Sequence, residues 1–308
     1  MKVSVVTINR NDAAGLARTL ASTLGACGDT DGWEQIVVDG ASTDGSMDAL
    51  VPYRGNPRLA SAVSEPDAGR YDAMNKGAAR ARGDFLLFLN AGDELVPGAL
   101  EEFLRADPAA DLAYGDLLVR WPDGSVRRKE SPDPERVDAA WFLAESLPHP
   151  ATFVSAALFR RLGGYDMSFL IVSDAKFFLD AVRGGARLFR LPFPVSVFDR
   201  SGISTDPAFA ALHRRERRAF LEPVFGAKLA RLVTSPGVRS AHGFPRPAQL
   251  DAAREDPDLA RCLLRANDLL SAAWRFRAGR AILRGIARAA EARERRRTRP
   301  GSAEDDRT

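Results

Sequence analysis

Cysteine is scarce in this 308-residue chain. Cys27 and Cys262 lie far apart and outside any CxxC spacing, which excludes a disulfide framework or zinc knuckle and fits a reducing cytoplasm. No run of 18 apolar residues occurs, so no transmembrane helix is expected. The opening MKVSVVTINRND enters a strand at once and lacks the apolar core of about 7–15 residues that a secretory signal needs. GxGxxG after the first strand and GxxxxGK[ST] are both missing, which removes the main support for dinucleotide and P-loop readings. What remains is 45% hydrophobic and 28% charged, the composition of a soluble globular protein long enough for one large domain or one domain plus an appendage.

Charge is unevenly placed. Residues 201–308 hold 22 Lys plus Arg against 13 Asp plus Glu, whereas residues 1–200 hold 22 against 28. The acidic part carries the candidate site. The basic part points to an anionic surface or polymer, and solvated helix faces would look the same.

The stretch Ser64–Leu95 organises the chain: an acidic turn, an amphipathic helix over Tyr71–Arg82, and a strand over Phe85–Leu89. That strand is apolar throughout, as a central strand covered on both faces should be. Before it, Val3–Thr7, Gln35–Val38 and Leu59–Val63 read as strands, with Leu16, Leu20 and Leu24 marking a helix after the first. The turn-rich Asp39–Gly45 can cap a helix after the second. This alternation predicts an α/β protein whose mixed, mainly parallel sheet has helices on both faces.

Asp39 closes one strand, and Asp93, expected as an exposed turn carboxylate, follows Phe85–Leu89. At the carboxyl edge of a parallel sheet the two can face one cleft. With Asn9 and Asp67 at further strand ends, they favour a polar ligand over simple turns.

Beyond Pro97 the reading is a short helix over Ala99–Leu104, then a β-hairpin of Leu112–Trp121 and Ser125–Lys129 around Asp123 and Gly124. Residues 131–149 are Pro-rich and irregular, and a helix then ends at Gly163 and Gly164. Ser173 is the expected N-cap of a helix through Arg183, with Asp174 in its first turn. Asp174 there either serves the cleft or complements the helix dipole.

VSVVTINRND, VVDGASTDGS, EPDAGRYDAMNKG, GDFLLFLNAGDEL, HPATF, GGYD and a later SD before a helix occur in order at fitting distances. The set resembles a family 2 glycosyltransferase with the GT-A fold, of the bacterial type that builds surface polysaccharides, over about residues 1–205. The resemblance implies that Thr7, Asn9, Asp39, Asp67 and Asn90 bind a nucleotide sugar, with Asp39 on the base or ribose. It implies that Asp93 holds a divalent metal, Mg²⁺ or Mn²⁺, on the donor diphosphate, and that Asp174 is the general base. His149 would contact acceptor or diphosphate, or pack as a loop residue. The sequence departs from the family at NAGD, where Asn90 and Gly92 stand in place of acids and leave one carboxylate for the metal. That suffices for a cation that keeps several waters.

The implied reaction is inverting sugar transfer from a nucleotide-diphosphate sugar to a polysaccharide or lipid-linked oligosaccharide, at the cytoplasmic face of the membrane and with no nucleic-acid partner. Two alternatives are a sugar-phosphate nucleotidyltransferase, which normally has a Gly-rich phosphate loop where this chain has INRND, and a degenerate membrane-surface binding module. The expected domains are a catalytic one over 1–205, a helical extension over 206–292 and a disordered tail over 293–308. In the extension, the RRERR cluster (Arg214–Arg218) reads as a solvated helix face. Arg277, Arg280, Arg284 and Arg288 form a basic stripe opposite Trp274, Ile282 and Ile286, suited to an anionic membrane or to packing on the catalytic domain.

Overall fold

The short apolar runs form strands in the computed structural model, which describes residues 2–27, 30–200 and 206–234. They are β1 (Val3–Asn9), β2 (Trp33–Asp39), β3 (Leu59–Ser64) and β4 (Phe85–Phe88), paired in parallel in the order β3-β2-β1-β4. Helices α1 (Ala13–Leu20), α2 (Arg70–Arg80) and α3 (Ala99–Ala106) cover them. Val3, Val5, Val37, Phe85 and Leu87 join Leu16, Leu20 and Phe103 in one buried cluster, while Ile36 and Val38 join Ala73 of α2 in another. Burial on two faces is why these strands read as continuous apolar runs. A Cβ on Gly77 would meet Val6 Cγ1 at 2.3 Å, so glycine lets α2 lie directly on β1. The helix expected after Asp39–Gly45 is a 3₁₀ helix, Ser46–Tyr53, with Pro52 inside it. Proline lacks the N–H that an α-helical turn would need there.

The rest of the sheet is mixed. Two residues, Glu94–Leu95, form β5. The expected hairpin is β6 (Leu112–Arg120) with β7 (Val126–Lys129), and β8 (Thr152–Ser155) runs antiparallel between β4 and β6. Sequence patterning gave no sign of β9 (Leu188–Asp199), which runs parallel to β6 and pairs with β5. Pro192 and Pro194 disguise it, since proline cannot donate to a ladder. The pairing absorbs them by register shifts between Tyr114 and Leu117. The full order is β3-β2-β1-β4-β8-β6-β9-β5, with β7 on β6.

Helices α4 (Ala156–Arg161), α5 (Ser173–Arg183), α6 (Ala210–Phe225) and α7 (Ala227–Val233) follow. Ser173 is not the cap of α5: Val172 holds that position, and the buried Ser173 hydroxyl has no partner. The RRERR cluster is not simply a solvated face either. Glu216 and Arg217 are buried; Glu216 accepts from Leu170 N and Ile171 N at 2.8 Å, and Arg217 Nη2 donates to Phe142 O at 2.5 Å.

Two compact units are present. Among the described residues, one runs through residue 139 and resumes over 146–216 and contains the sheet; the other joins 140–145 to 217–234. Cys27 is buried, which with the nearby Glu101 charge pushes its thiol up to about 11 and leaves it unreactive. Among the described residues no helix is long and apolar enough to cross a membrane. The arginine stripe of residues 277–288, the part of the 206–292 extension beyond residue 234 and the 293–308 tail lie outside the described residues.

Candidate active site

Three strand ends meet on one carboxylate. Asp39 Oδ1 accepts from Asn9 Nδ2 (2.7 Å) and Ser42 Oγ (2.5 Å), and its Oδ2 accepts from Ser42 N (2.9 Å) and Ser64 Oγ (2.6 Å). Asp39 is fully buried. Burial alone would raise its carboxyl, but the bonds from Ser42, Ser64 and Asn9 together hold it below the ordinary value. With all four acceptor positions filled, Asp39 does not offer a free oxygen to a base or ribose, as the sequence suggested; it fixes the ends of β1, β2 and β3. Asp39→Asn should therefore destabilise the fold by about 2–3 kcal/mol, because an amide turns a donor toward groups that are themselves donors. Since the folded carboxyl is depressed, its contribution is complete above the unfolded value of about 3.9 and disappears as pH falls through the folded one. Urea titrations at pH 6 and pH 3 should show the gap between variant and parent narrow at the lower pH; an equal gap at both would exclude this role.

Asp67 lies beside this hub. Its Oδ1 accepts from Gly69 N at 2.9 Å, and a Cβ on Gly40 would meet its Oδ2 at 2.3 Å, so Gly40 lets the β2 turn and the acidic turn share one space. Asn9 Oδ1 is a buried acceptor at the end of β1 without a partner among the described residues. Thr7 does not line a cleft. It is fully enclosed and its hydroxyl accepts from Gln35 Nε2 at 3.0 Å.

The elbow after β4 is tied down by a residue that sequence reading missed. Thr19 of α1 accepts from Gly92 N at 3.0 Å, and its hydroxyl is 2.7 Å from Asp93 O. Asp93 is not exposed: only 4% of it is accessible, and Oδ1 accepts from Asp199 N at the end of β9 at 3.1 Å. Burial, reinforced by the Asp199 charge, pushes its carboxyl up to about 7 against the pull of Arg70. Asn90 Oδ1, in the elbow, is a second buried oxygen without a partner among the described residues. Asp93 and Asn90 fit Mg²⁺ or Mn²⁺ as hard oxygen donors. No group of three or more His, Cys, Asp or Glu able to hold a metal occurs among the described residues, so the protein would supply one or two ligands and a diphosphate others.

The third part surrounds Asp174. Asp174 sits in the first turn of α5, half-buried, and its Oδ1 lies 2.7 Å from the hydroxyl of Tyr71, which is also 2.7 Å from Ile171 O. Burial and the Asp174 charge raise the Tyr71 phenol well above its usual value, so it remains a proton donor. Asn75, also in YDAMNKG, donates to Tyr165 O (2.8 Å) and accepts from Tyr165 N (2.9 Å), which clamps the GGYD turn. His149 Nε2 is 3.1 Å from Tyr165 Oη, and the ring stacks on Phe88. Burial lowers the His149 pKa despite the Asp174 charge, so the imidazole is neutral at pH 7. Arg70 is the second residue that sequence reading passed over. It is half-buried, and its charge acts on both Asp93 and His149, so the elbow and the His149 ring lie within electrostatic reach of one guanidinium.

Comparison with known proteins gives a consistent picture. Residues 4–142 match the family model described as Glycosyl transferase family 2. An uncharacterized glycosyltransferase of Mycobacterium tuberculosis is 38% identical over 188 residues, covering 58% of this chain and 68% of the relative. A PGL/p-HBAD biosynthesis glycosyltransferase of the same species is 31% identical over 182 residues, covering 56% and 67%. Among solved structures, S. aureus TarS 1-349 with UDP-GlcNAc superposes with TM-score 0.55 at 14% identity, covering 95% of this chain and 92% of that one. The mannosyltransferase PcManGT from Pyrobaculum calidifontis, with GDP-Man and Mn²⁺, also gives 0.55, at 18% identity and 97% and 88% coverage.

Proposed function

The chain belongs to glycosyltransferase family 2 and has the GT-A fold, and on that premise we propose that it transfers a sugar from a nucleotide diphosphate to a saccharide or lipid-linked acceptor of the cell envelope, with inversion. One observation carries the reading: Arg70, whose charge acts on Asp93 in the elbow after β4, adjoins Tyr71, whose hydroxyl is bonded to Asp174. A base and a diphosphate-holding group on either side of a sugar are what a single displacement requires.

In this reaction the acceptor hydroxyl attacks the anomeric carbon, the bond from that carbon to the diphosphate breaks, and Asp174 takes the hydroxyl proton. Tyr71 keeps the carboxylate aimed, and its raised pKa prevents it from competing for the proton. Asn9 and Asp67 take the nucleoside, with Asp39 as their anchor. Asp93 and Asn90 would hold Mg²⁺ or Mn²⁺, which when bound would neutralise charge on the leaving diphosphate. Neutral His149 orients groups near Asp174 without adding charge. We place the enzyme on the cytoplasmic side of the membrane.

UDP-GlcNAc and GDP-Man, the ligands of the solved structures that this fold resembles, are the first donors to test. One donor should be hydrolysed slowly without acceptor, stimulated by Mg²⁺ or Mn²⁺, and proton NMR should show the released sugar first with inverted anomeric configuration. Pyrophosphate release from a nucleoside triphosphate and a sugar phosphate would instead identify a nucleotidyltransferase. Failure to bind any donor would leave only the binding module.

A further inference from the structure

Behind Tyr71 lies a cavity of about 260 Å³, walled by the start of α2, the 167–170 loop and α6. Its lining divides into two kinds of surface. Met167, Leu170 and Leu212 are apolar, and Met167 and Leu170 are 58% and 40% exposed, the most accessible large hydrophobics around the site. Arg70 and Arg215 are cationic and make no hydrogen bond or ion pair among the described residues. The two acids in the lining do not answer them. Asp72 accepts from Ala68 N and pairs with Lys76 Nζ, both at 2.9 Å, and Glu216 accepts from the N–H groups of Leu170 and Ile171. Among the described residues the cavity therefore presents two guanidinium groups without an ion-pair partner beside an apolar wall.

We propose that this cavity seats the acceptor, and that the acceptor is a phosphate-bearing amphiphile whose phosphate ester is held by Arg70 and Arg215 and whose apolar chain rests on Met167, Leu170 and Leu212. The inference builds on the glycosyl-transfer reading and names the acceptor class for it. Position supports it: Tyr71 forms part of the wall and carries the hydroxyl bonded to Asp174, so a bound acceptor is one side chain away from the base. Charge complementarity does so too, because guanidinium groups bind phosphate by paired, charge-assisted hydrogen bonds. A neutral oligosaccharide would leave both guanidinium charges unmatched.

The test is calorimetric, on the full chain, with dodecyl phosphate held below its micellar concentration. Dodecyl maltoside supplies the same chain without charge, and inorganic phosphate supplies the charge without the chain. Dodecyl phosphate should bind at least about tenfold more tightly than either, weakening with salt. Arg70→Gln and Arg215→Gln should each lose about tenfold, with far-ultraviolet circular dichroism unchanged. Equal affinity for the maltoside would overturn phosphate recognition, and equal affinity for inorganic phosphate would overturn the apolar seat. Unchanged binding by both variants would put the ligand elsewhere. Displacement of dodecyl phosphate by UDP or GDP would make this the donor's diphosphate seat and not an acceptor site. Donor hydrolysis by the unaltered protein is measured alongside; its absence would strike the transfer reading while the phosphate-ester titration stays readable.

Discussion

Asp174→Asn is expected to lower kcat by about 10²- to 10⁴-fold while the Kd for the nucleotide sugar stays within a factor of about 2. Asparagine keeps the size of the side chain and can still receive the Tyr71 hydroxyl, which lies 2.7 Å from Asp174 Oδ1, so the start of α5 should hold its place. What is lost is the ability to take a proton from the acceptor. Because the base touches the acceptor and not the donor, donor binding should barely change, the pattern of a group that acts in the transition state. Stopped-rate transfer assays with calorimetric donor titrations would measure both. Loss of donor binding, or unfolding, would make Asp174 a structural acid. Asp166, the other acid of this region, would be a weak replacement. Burial works to raise its carboxyl, but hydrogen bonds from Ser168 and the charge of Lys176 hold it below the usual value, and a depressed pKa makes a poorer base.

Asp93→Asn should reduce transfer by about 10²-fold or more and abolish its stimulation by Mg²⁺ or Mn²⁺, since an amide gives a cation no charge to balance. Asparagine is chosen over alanine because Asp93 is buried and accepts from Asp199 N at 3.1 Å. Alanine would leave that N–H unpaired and mix a folding defect with the kinetic one. Stability should hold or rise in cation-free buffer near pH 8. Burial pushes the native carboxyl up to about 7, so ionising it in the fold is unfavourable and the neutral amide removes that strain. Thermal melts and cation titrations of transfer rate would check the two halves. Full activity of the variant in EDTA-treated buffer would end the metal role.

The parallel half of the sheet was legible because strand and helix periods are written in residue type. β1, β2, β3 and β4 appear where the apolar runs are, and α2 and α3 begin and end within two residues of their patterns. β9 was hidden because its apolar alternation is broken by two prolines, which only the shifted register opposite Tyr114–Leu117 accommodates. The 3₁₀ segment at Ser46–Tyr53 was mistaken for an ordinary helix for the related reason that Pro52 changes the hydrogen-bond pattern and not the polarity.

By itself the sequence determined which acids stand at strand and helix ends: Asp39, Asp67, Asp93 and Asp174 each occupy the strand end, turn or first helical turn that their neighbours in the chain dictate. Only the tertiary structure decided what those carboxylates can do. Asp39 is closed by donors from its own turn and from the ends of β1 and β3, Asp93 is buried under the end of β9, and Asp174 is paired with a tyrosine 103 residues earlier in the chain. Thr19 and Arg70 gained importance in the same way, through groups far along the chain. The physical reason is that local structure follows from backbone sterics and short-range periodicity, whereas the reactivity of a carboxylate follows from how much water it keeps and how many lone pairs are filled. Those two quantities are set by elements brought together across the sheet.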